Sequence, residues 1–171
     1  MLGDDTDMVG LVLSGTVLLE NVNLDDQRRI LDYYETGDLL WKKCFPDNRH
    51  EVYYLITRSK CQVAFLHYKK MAEMTGSGGL LPEGFPERLL LGVGVRTVVH
   101  VDILGQRSLR QKLLAFFSYL RNQKESGSFV LPFSLTDCAD YLAVDRSAMM
   151  RELGRMKEER ILEMDGRSVR L

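Results

Sequence analysis

The chain contains little cysteine and no long uninterrupted apolar run. Its 171 residues include only three cysteines, Cys44, Cys61 and Cys138, and an odd number rules out a complete disulfide framework within one chain. The longest apolar segments are interrupted by serine or glycine, whereas a helix that crosses a bilayer needs about 20 consecutive apolar residues. These absences predict a protein of the reducing cytoplasm that has no membrane partner.

Histidine is also scarce, and the catalytic arrangements that it serves are missing. The three histidines, His50, His67 and His100, are scattered along the chain. No Ser-His-Asp arrangement, pair of catalytic carboxylates or P-loop can be assembled around them. We therefore predict that the protein is not an enzyme and carries no cofactor.

Two Cys-x5-His pairs leave a metal or haem site open as an alternative. They are Cys44 with His50 and Cys61 with His67. Neither has the Cys-x2-Cys spacing of a zinc site, although residues i and i+6 of a strand share a face. We interpret all four as packed or surface residues and predict no bound metal.

The formal charge is close to balanced, at -1 for the whole chain. Residues 105–171 contain 12 Lys and Arg against 9 Asp and Glu, so the remainder carries -4. So small a positive surplus does not by itself argue for nucleic acid. Affinity for DNA must then come from where the arginines lie, and it must depend on salt through phosphate contacts.

Residues 134–160 have the pattern of two short helices joined by a tight turn. The first helix carries one apolar stripe at helical spacing, formed by Leu135, Cys138, Ala139 and Leu142. Ser134, followed three residues later by Asp137, resembles a capping box and marks the start of this helix. The stripe predicts a helix that packs through one face only.

The second helix should begin after Asp145, which can cap it, and end near Arg160. Its apolar residues Met149, Leu153 and Met156 should face the core. The opposite side carries Arg146, Ser147, Met150 and Arg151, which we predict to read DNA bases. The planar arginine fork suits guanine O6 and N7. An ordinary packed domain with solvated arginines is the alternative.

Two short runs around Asp165-Gly166 follow this pair of helices. A type I′ turn needs positive φ at both central residues, and Asp-Gly is a preferred pair for it. The runs 161–164 and 167–171 therefore predict a β-hairpin, which would form the wing of a winged helix.

The C-terminal part, from Ser108 onward, resembles a known DNA-binding domain. The motifs SLRQKLLAFFSYL, LPFSLTDCADYLAVDRSAMMREL and GRMKEERI are similar to those of the Crp/Fnr family of bacterial transcription regulators. The resemblance implies base contacts at Arg146, Ser147 and Arg151 and a phosphate contact at Ser134. Arg155 and Arg167 are predicted to contact phosphates as well. Ser147 replaces the glutamate of the best-known members, which leaves the base preference at that position open.

The front part of the chain has several short strand patterns separated by turns. They cover residues 8–19, broken at Ser14-Gly15, and residues 28–34, 52–56 and 61–68. Such spacing favours a small antiparallel barrel or jelly roll. LVLSGTVLL, ETGDLL and CQVAFLHYKKM also resemble the cyclic-nucleotide-binding β-roll of the same family. Relatives begin earlier than the segment at Gly3, so the roll is expected to lack its N-terminal edge.

The segment that binds a cyclic nucleotide in relatives is degenerate here. Trp41 and Lys42 stand where relatives carry Gly-Glu, and Glu51 and Val52 stand where they carry Arg-Ser. A carboxylate repels phosphate, and valine cannot donate a hydrogen bond. We predict no cyclic-nucleotide binding, unless a two-residue register slip brings Arg49 into place, and hence an unknown small-molecule effector.

The segment between the two parts gives conflicting signals. Pro82 and Pro86 indicate a loop, and residues 93–103 then alternate strictly, which alone favours a strand. The family resemblance implies a long dimerisation helix instead, and we predict a helix over 89–104. Gly92 and Gly94 should weaken it by about 1 kcal/mol each relative to alanine. A hinge near Gly105 should precede a helix that starts near Ser108 and exposes Arg110 and Lys112.

The predicted protein is thus α+β, with an antiparallel, jelly-roll-like β-roll over residues 1–88. A dimerisation helix and hinge follow over 89–106, and a winged helix-turn-helix domain over 107–171. The resemblance implies a homodimer that binds near-palindromic double-stranded DNA, with a possible contact to RNA polymerase. The alternative is a β-roll that senses a ligand or partner and has little DNA affinity.

Overall fold

Within the residues that the structure describes, the front part of the chain forms antiparallel strands in two three-stranded sheets. The computed structural model describes residues 8–22, 28–41, 52–69, 85–124 and 126–171. The strands are β1 (Met8–Ser14), β2 (Val17–Val22), β3 (Arg28–Tyr34), β4 (Leu39–Trp41), β5 (Val52–Thr57) and β6 (Gln62–His67). They pair in the orders β4-β1-β6 and β3-β2-β5. The prediction of an antiparallel roll of short strands is confirmed.

Glycine is required at the turn between β1 and β2. Gly15 has a φ of +86°, and a Cβ at this position would lie 2.7 Å from the carbonyl oxygen of Lys60. Any other residue would meet both the left-handed backbone conformation and this close approach. The Ser-Gly break in the apolar pattern therefore marks the turn itself.

β2 is buried on both faces because it lies between two apolar cores. Val17 and Leu19 pack inside the roll, whereas Leu18 packs toward the helices. On the neighbouring β3, the register shifts between the pairs Leu19↔Asp32 and Glu20↔Ile30, so Leu31 is an extra, bulged residue. The bulge changes the side-chain alternation, and both Ile30 and Tyr33 join the core on the helical side.

The segment with conflicting signals is a helix, α1 (Phe85–Gly105). It starts four residues earlier than predicted and runs through Gly92 and Gly94 without a break. The helix prediction is confirmed. The alternation of β-branched residues does not decide the structure here, and of these residues Val99 and Ile103 pack against the helical core. No helix in the described ranges is long and apolar enough to cross a membrane.

The C-terminal part contains three helices and a small sheet. The helices are α2 (Leu109–Lys124), α3 (Leu135–Tyr141) and α4 (Arg146–Glu158), and the strands are β7 (Ser128–Val130), β8 (Glu163–Asp165) and β9 (Ser168–Arg170). The sheet order is β7-β9-β8. β7 was not predicted, because a three-residue strand leaves no periodic signal. Its pairing of Phe129 with Val169 anchors the hairpin to the domain.

The hairpin turn lies one residue later than the sequence indicated. Asp165 pairs with Ser168, so the two central residues are Gly166 and Arg167. Gly166 has a φ of +55°, whereas Arg167 is not among the described residues with positive φ. A type I′ turn centred on Asp165-Gly166 is therefore wrong. Glycine at the first central position is typical of a type II′ turn.

The roll and the helical domain share one hydrophobic core. Tyr33 of β3 makes edge contacts with Phe133 at 5.3 Å and with Tyr141 at 5.6 Å between ring centroids. The same core continues to Phe116 of α2, which is fully buried. α1 ends at Gly105, where a hinge was predicted. In this structure the aromatic contacts nevertheless pack the helix-turn-helix against the roll of the same chain.

A charged cluster lies at the same contact between the roll and the helical domain. It consists of Glu20, Arg28, Arg58, Asp137 and Asp140. Arg28 pairs with Glu20 and Asp137, both at 3.2 Å, and with Asp140. Arg58 pairs with Glu20 at 2.6 Å and with Asp137 at 3.3 Å. Burial raises the pKa of Glu20, and Arg28 opposes that shift. Two carboxylates of α3 are therefore directed at the roll.

Candidate nucleic-acid interface

Ser134 begins α3 as predicted, but its capping interactions differ from a complete capping box. Its hydroxyl accepts a hydrogen bond from the backbone N–H of Asp137 at 3.1 Å and donates one to the Asp137 carboxylate at 2.6 Å. In a capping box the acidic side chain instead accepts from the backbone N–H of the capping residue. Asp137 is buried within the charged cluster. Ser134 itself is exposed, so its oxygen lies at the surface.

The turn between α3 and α4 depends on a residue in the left-handed region. Ala143 has a φ of +51°, which lets the Val144 N–H reach the Ala139 carbonyl oxygen at 3.0 Å. Asp145 then caps α4, since its side chain accepts from the Ala148 N–H at 2.7 Å. These caps fix where the second helix starts, as the sequence predicted.

The four predicted base-reading residues lie together on the exposed face of α4. Met149, Leu153 and Met156 bury the opposite face. The exposed face carries Arg146, Ser147, Met150 and Arg151. Met150 has 42% of its surface exposed, although it is a large apolar side chain. Within the ranges described, neither Arg146 nor Arg151 takes part in an ion pair, so both guanidinium groups are available to a ligand.

The three predicted phosphate contacts are exposed and lie on separate elements. Ser134 lies at the start of α3 and Arg155 near the end of α4. Arg167 lies in the hairpin turn. Arg155 makes only a weak ion pair with Glu152, at 3.5 Å. A phosphate could replace this contact at little cost, because surface pairs contribute at most about 1 kcal/mol.

Arg110 of α2 attaches α4 to α2 through ion pairs with Glu152 and Glu159, a role that the sequence did not reveal. Its Nε lies 2.5 Å from Glu152, and its two terminal nitrogens lie 2.6 and 2.9 Å from the carboxylate of Glu159. The hydrogen bond from Arg110 lowers the pKa of Glu159. Arg110 was predicted to be exposed, and the structure finds it partly exposed. Its two partners were not predicted, because they lie 42 and 49 residues away in sequence.

The structure covers only part of the degenerate nucleotide segment. Lys42, Glu51 and the side chain of Trp41 lie outside the described residues. Val52 begins β5, pairs with Val22 and is 55% exposed. The turn before β4 is stabilised by Asp38. Its carboxylate accepts a hydrogen bond from the Glu35 N–H at 2.7 Å and pairs with Arg96 of α1 at 2.9 Å. This turn is therefore tied to α1.

The Cys-x5-His pairs are only partly described. Cys44 and His50 lie outside the described residues, and among those described no group of three His, Cys, Asp or Glu side chains is placed to hold a metal ion. Cys138 is buried in the core, and burial raises the pKa of its thiol to about 12. This thiol therefore stays protonated and unreactive at neutral pH.

Comparison with known proteins identifies the architecture. No protein-family model and no curated protein matches the sequence. FixK2 from Bradyrhizobium japonicum superposes with a TM-score of 0.76 and 20% identity over 98% of this chain and 84% of that one. A CRP/FNR-family transcriptional regulator from Thermus thermophilus gives a TM-score of 0.65, with 17% identity, over 96% and 82%. The chain has the Crp/Fnr fold.

A third structure extends the likeness to another organism. CLP, the c-di-GMP-responsive global regulator of Xanthomonas campestris, superposes with a TM-score of 0.64 and 21% identity over 99% of this chain and 86% of its own. The Crp/Fnr fold thus spans the roll, α1 and the helix-turn-helix of this chain together.

Proposed function

We propose that the chain is a sequence-specific DNA-binding transcription regulator of the Crp/Fnr type. The observation that carries the proposal is the exposed face of α4, where Arg146 and Arg151 flank Ser147 and Met150 on a capped helix beside a hairpin wing. In a helix-turn-helix the second helix enters the major groove. There, arginine can read guanine, and an apolar side chain can contact a thymine methyl group.

The proposal includes a homodimer that forms along α1. Four large apolar side chains of this helix are exposed by 60–69%: Leu91, Val95, Val98 and Val101. They follow one side of the helix at spacings of three and four residues, which is the pattern of a helix-helix seam. A twofold pair would place two α4 helices about one DNA turn apart on a near-palindromic site.

Replacing Arg146 with alanine should reduce operator affinity by about 1–3 kcal/mol and relax base choice at one position in each half-site. The reason is that the guanidinium group lies exposed at the start of α4 and makes no ion pair with any described residue. The measurement is a competition binding assay at fixed salt, with an operator selected from random DNA by the full chain and with its single-base variants.

Two further variants serve as controls for this test. Arg167→Ala should weaken binding to all sequences alike, because a phosphate contact carries no base information. Arg29→Ala, on the exposed side of β3, should leave binding unchanged. If the Arg146 variant kept both the affinity and the base preference of the wild type, α4 would not be the recognition helix.

The effector of this regulator is proposed not to be a cyclic nucleotide. Val52 offers no side-chain donor, and the substitutions at Trp41, Lys42 and Glu51 replace the groups that relatives use. Titration calorimetry of the full chain with cyclic AMP should show no heat of binding at micromolar concentrations. A micromolar dissociation constant would contradict the proposal that the effector is not a cyclic nucleotide. Arg49 would then be the candidate residue for binding the phosphate.

We propose a cytoplasmic protein without enzymatic activity, whose DNA-bound form contacts RNA polymerase. We also propose that the roll, the dimerisation helix and the DNA-binding domain are the three functional parts of the chain. A β-roll that senses a ligand but has little DNA affinity is the competing function. A mobility-shift assay with selected DNA separates the two.

A further inference from the structure

Three charged residues of α4 and one of α2 form an ion-pair cluster beside the predicted DNA-binding face. Glu152, Arg155 and Glu159 are spaced by three and four residues, so they are neighbours along one side of α4. Arg110 of α2 reaches both carboxylates, at 2.5 Å for Glu152 and at 2.6 and 2.9 Å for Glu159. Arg155 therefore lies between two carboxylates that both pair with an arginine of another helix.

The two arginines compete for the same carboxylates, and Arg110 is the better placed of the two. Arg155 comes only to 3.5 Å from Glu152, whereas the Arg110 Nε lies 2.5 Å away. The hydrogen bond from Arg110 is also the main cause that lowers the pKa of Glu159, and the charge of Arg155 is a weaker one. The side chain of Glu152 is 13% exposed and that of Arg155 is 67% exposed. The Arg155 guanidinium thus stays in solvent while the carboxylates pair with α2.

The balance of charge in this cluster depends on Arg110. With Arg110 present, two arginines offset two carboxylates. Without it, Arg155 would be left as the partner of both carboxylates, because residues three and four apart on a helix are neighbours. A guanidinium that pairs with carboxylates is less available to a phosphate, and an unpaired carboxylate repels DNA. The loss of Arg110 would therefore weaken a DNA contact made by another residue.

We propose that Arg110 is a positioning residue for DNA binding: by pairing with Glu152 and Glu159, it keeps the Arg155 guanidinium available to a backbone phosphate. This inference rests on the proposed function, and it adds a residue that lies outside the helix-turn-helix. Arg110 contributes affinity but no base preference, because a phosphate contact carries no sequence information. The recognition helix then depends on α2 for its charge as well as for its attachment.

The lysines of the two helices are directed at other groups. Lys112 of α2 donates a hydrogen bond to the carbonyl oxygen of Leu142 at 3.3 Å. Lys157 of α4 donates one to the carbonyl oxygen of Met164 at 3.1 Å, in the hairpin. Neither lysine therefore takes the place of Arg110 at the two carboxylates.

The salt dependence of operator affinity tests the proposal, with the full chain and an operator that it selects from random DNA. For Arg110→Ala, the slope of log affinity against log salt should become shallower by about 1 for each α4 bound, and affinity should fall about tenfold per α4 at about 0.1 M salt. Arg155→Ala should show the same changes, because it removes the phosphate contact directly. Base preference should be unchanged in both variants, in contrast to Arg146→Ala.

A triple variant, Arg110→Ala with Glu152→Gln and Glu159→Gln, separates positioning from attachment. It lacks the same ion pairs to α2 as Arg110→Ala, but it has no carboxylate at these two positions to occupy Arg155. Its slope and affinity should therefore return to the wild-type values, whereas a role of Arg110 in attachment alone predicts no recovery. Arg121→Ala, at the other end of α2 and also exposed, should behave as the wild type.

Two results would overturn the proposal while the wild type still binds its operator. One is a wild-type slope in Arg110→Ala, and the other is a triple variant that binds as weakly as Arg110→Ala. Where Arg110→Ala does not fold, Arg155→Ala still decides, since an unchanged slope in that variant excludes the phosphate contact. If the wild type selected no operator at all, the proposed function would fail first, and the inference with it.

Discussion

The variant Val98→Glu is expected to be monomeric and to lose most of its operator affinity. Val98 is 69% exposed, in the middle of the apolar stripe of α1. In a twofold helix pair the introduced carboxylates of the two copies would face each other across an apolar seam, where charge is poorly solvated. Each monomer would then bind a single half-site, which should cost about 10²–10⁴-fold in affinity.

Sedimentation velocity and an operator mobility-shift assay measure the two effects. Leu13→Glu is the matched control, because it places the same charge on an apolar residue of β1 that is 50% exposed. The control should remain dimeric. If Val98→Glu sedimented as a dimer, the stripe of α1 would not be the interface, and the geometry proposed for two half-sites would fail with it.

Replacing Tyr33 with alanine should lower the free energy of unfolding by about 3–5 kcal/mol, as for other buried aromatic residues. Tyr33 is 4% exposed, and it contacts Phe133 and Tyr141 across the boundary between the roll and the helical domain. Because the two parts share this core, urea denaturation of the wild type should follow a single cooperative transition.

The control for this prediction is Tyr54→Ala on β5. Tyr54 is 47% exposed, and surface substitutions of this kind usually change stability by less than about 0.5 kcal/mol. Two separate transitions in the wild type, with only the first shifted in Tyr33→Ala, would show that the domains unfold independently. The shared core would then contribute little to docking.

Much of the C-terminal domain could be predicted because its signals are local. The apolar spacing of Met149, Leu153 and Met156 defines the buried face of α4, and Asp145 caps the helix as expected. The hairpin was also predicted, although its turn is displaced by one residue. Sequence pattern places glycine in the turn but does not choose between the first and the second central position.

The helix α1 shows where local pattern fails. Its alternating β-branched residues favour a strand when taken alone, and the family resemblance was needed to predict a helix. In the structure these residues are divided between two surfaces: Val95 and Val101 are exposed, whereas Ile103 is buried against the helical core. A helix with apolar residues on both an exposed and a buried side has a weak apolar periodicity.

The contact between the roll and the helix-turn-helix could not be predicted at all. Arg28 and Asp137 are 109 residues apart, and no spacing rule links a strand residue to a carboxylate at that distance. His100 gives no signal either, because its ring nitrogens contact backbone carbonyl oxygens, those of Leu31 in β3 and of Tyr141 at the end of α3.

The attachment of α4 has a consequence for how such a protein can evolve. Arg110 and the buried methionines attach the helix to the rest of the domain. Ser147 and Met150 lie on the exposed face and support no other part of the described fold. If α4 is the recognition helix, as proposed, mutations at these two positions would change the preferred operator with little loss of stability. Duplicated copies of the gene could acquire new target sites by single substitutions, while the scaffold and its docking to the roll stay intact.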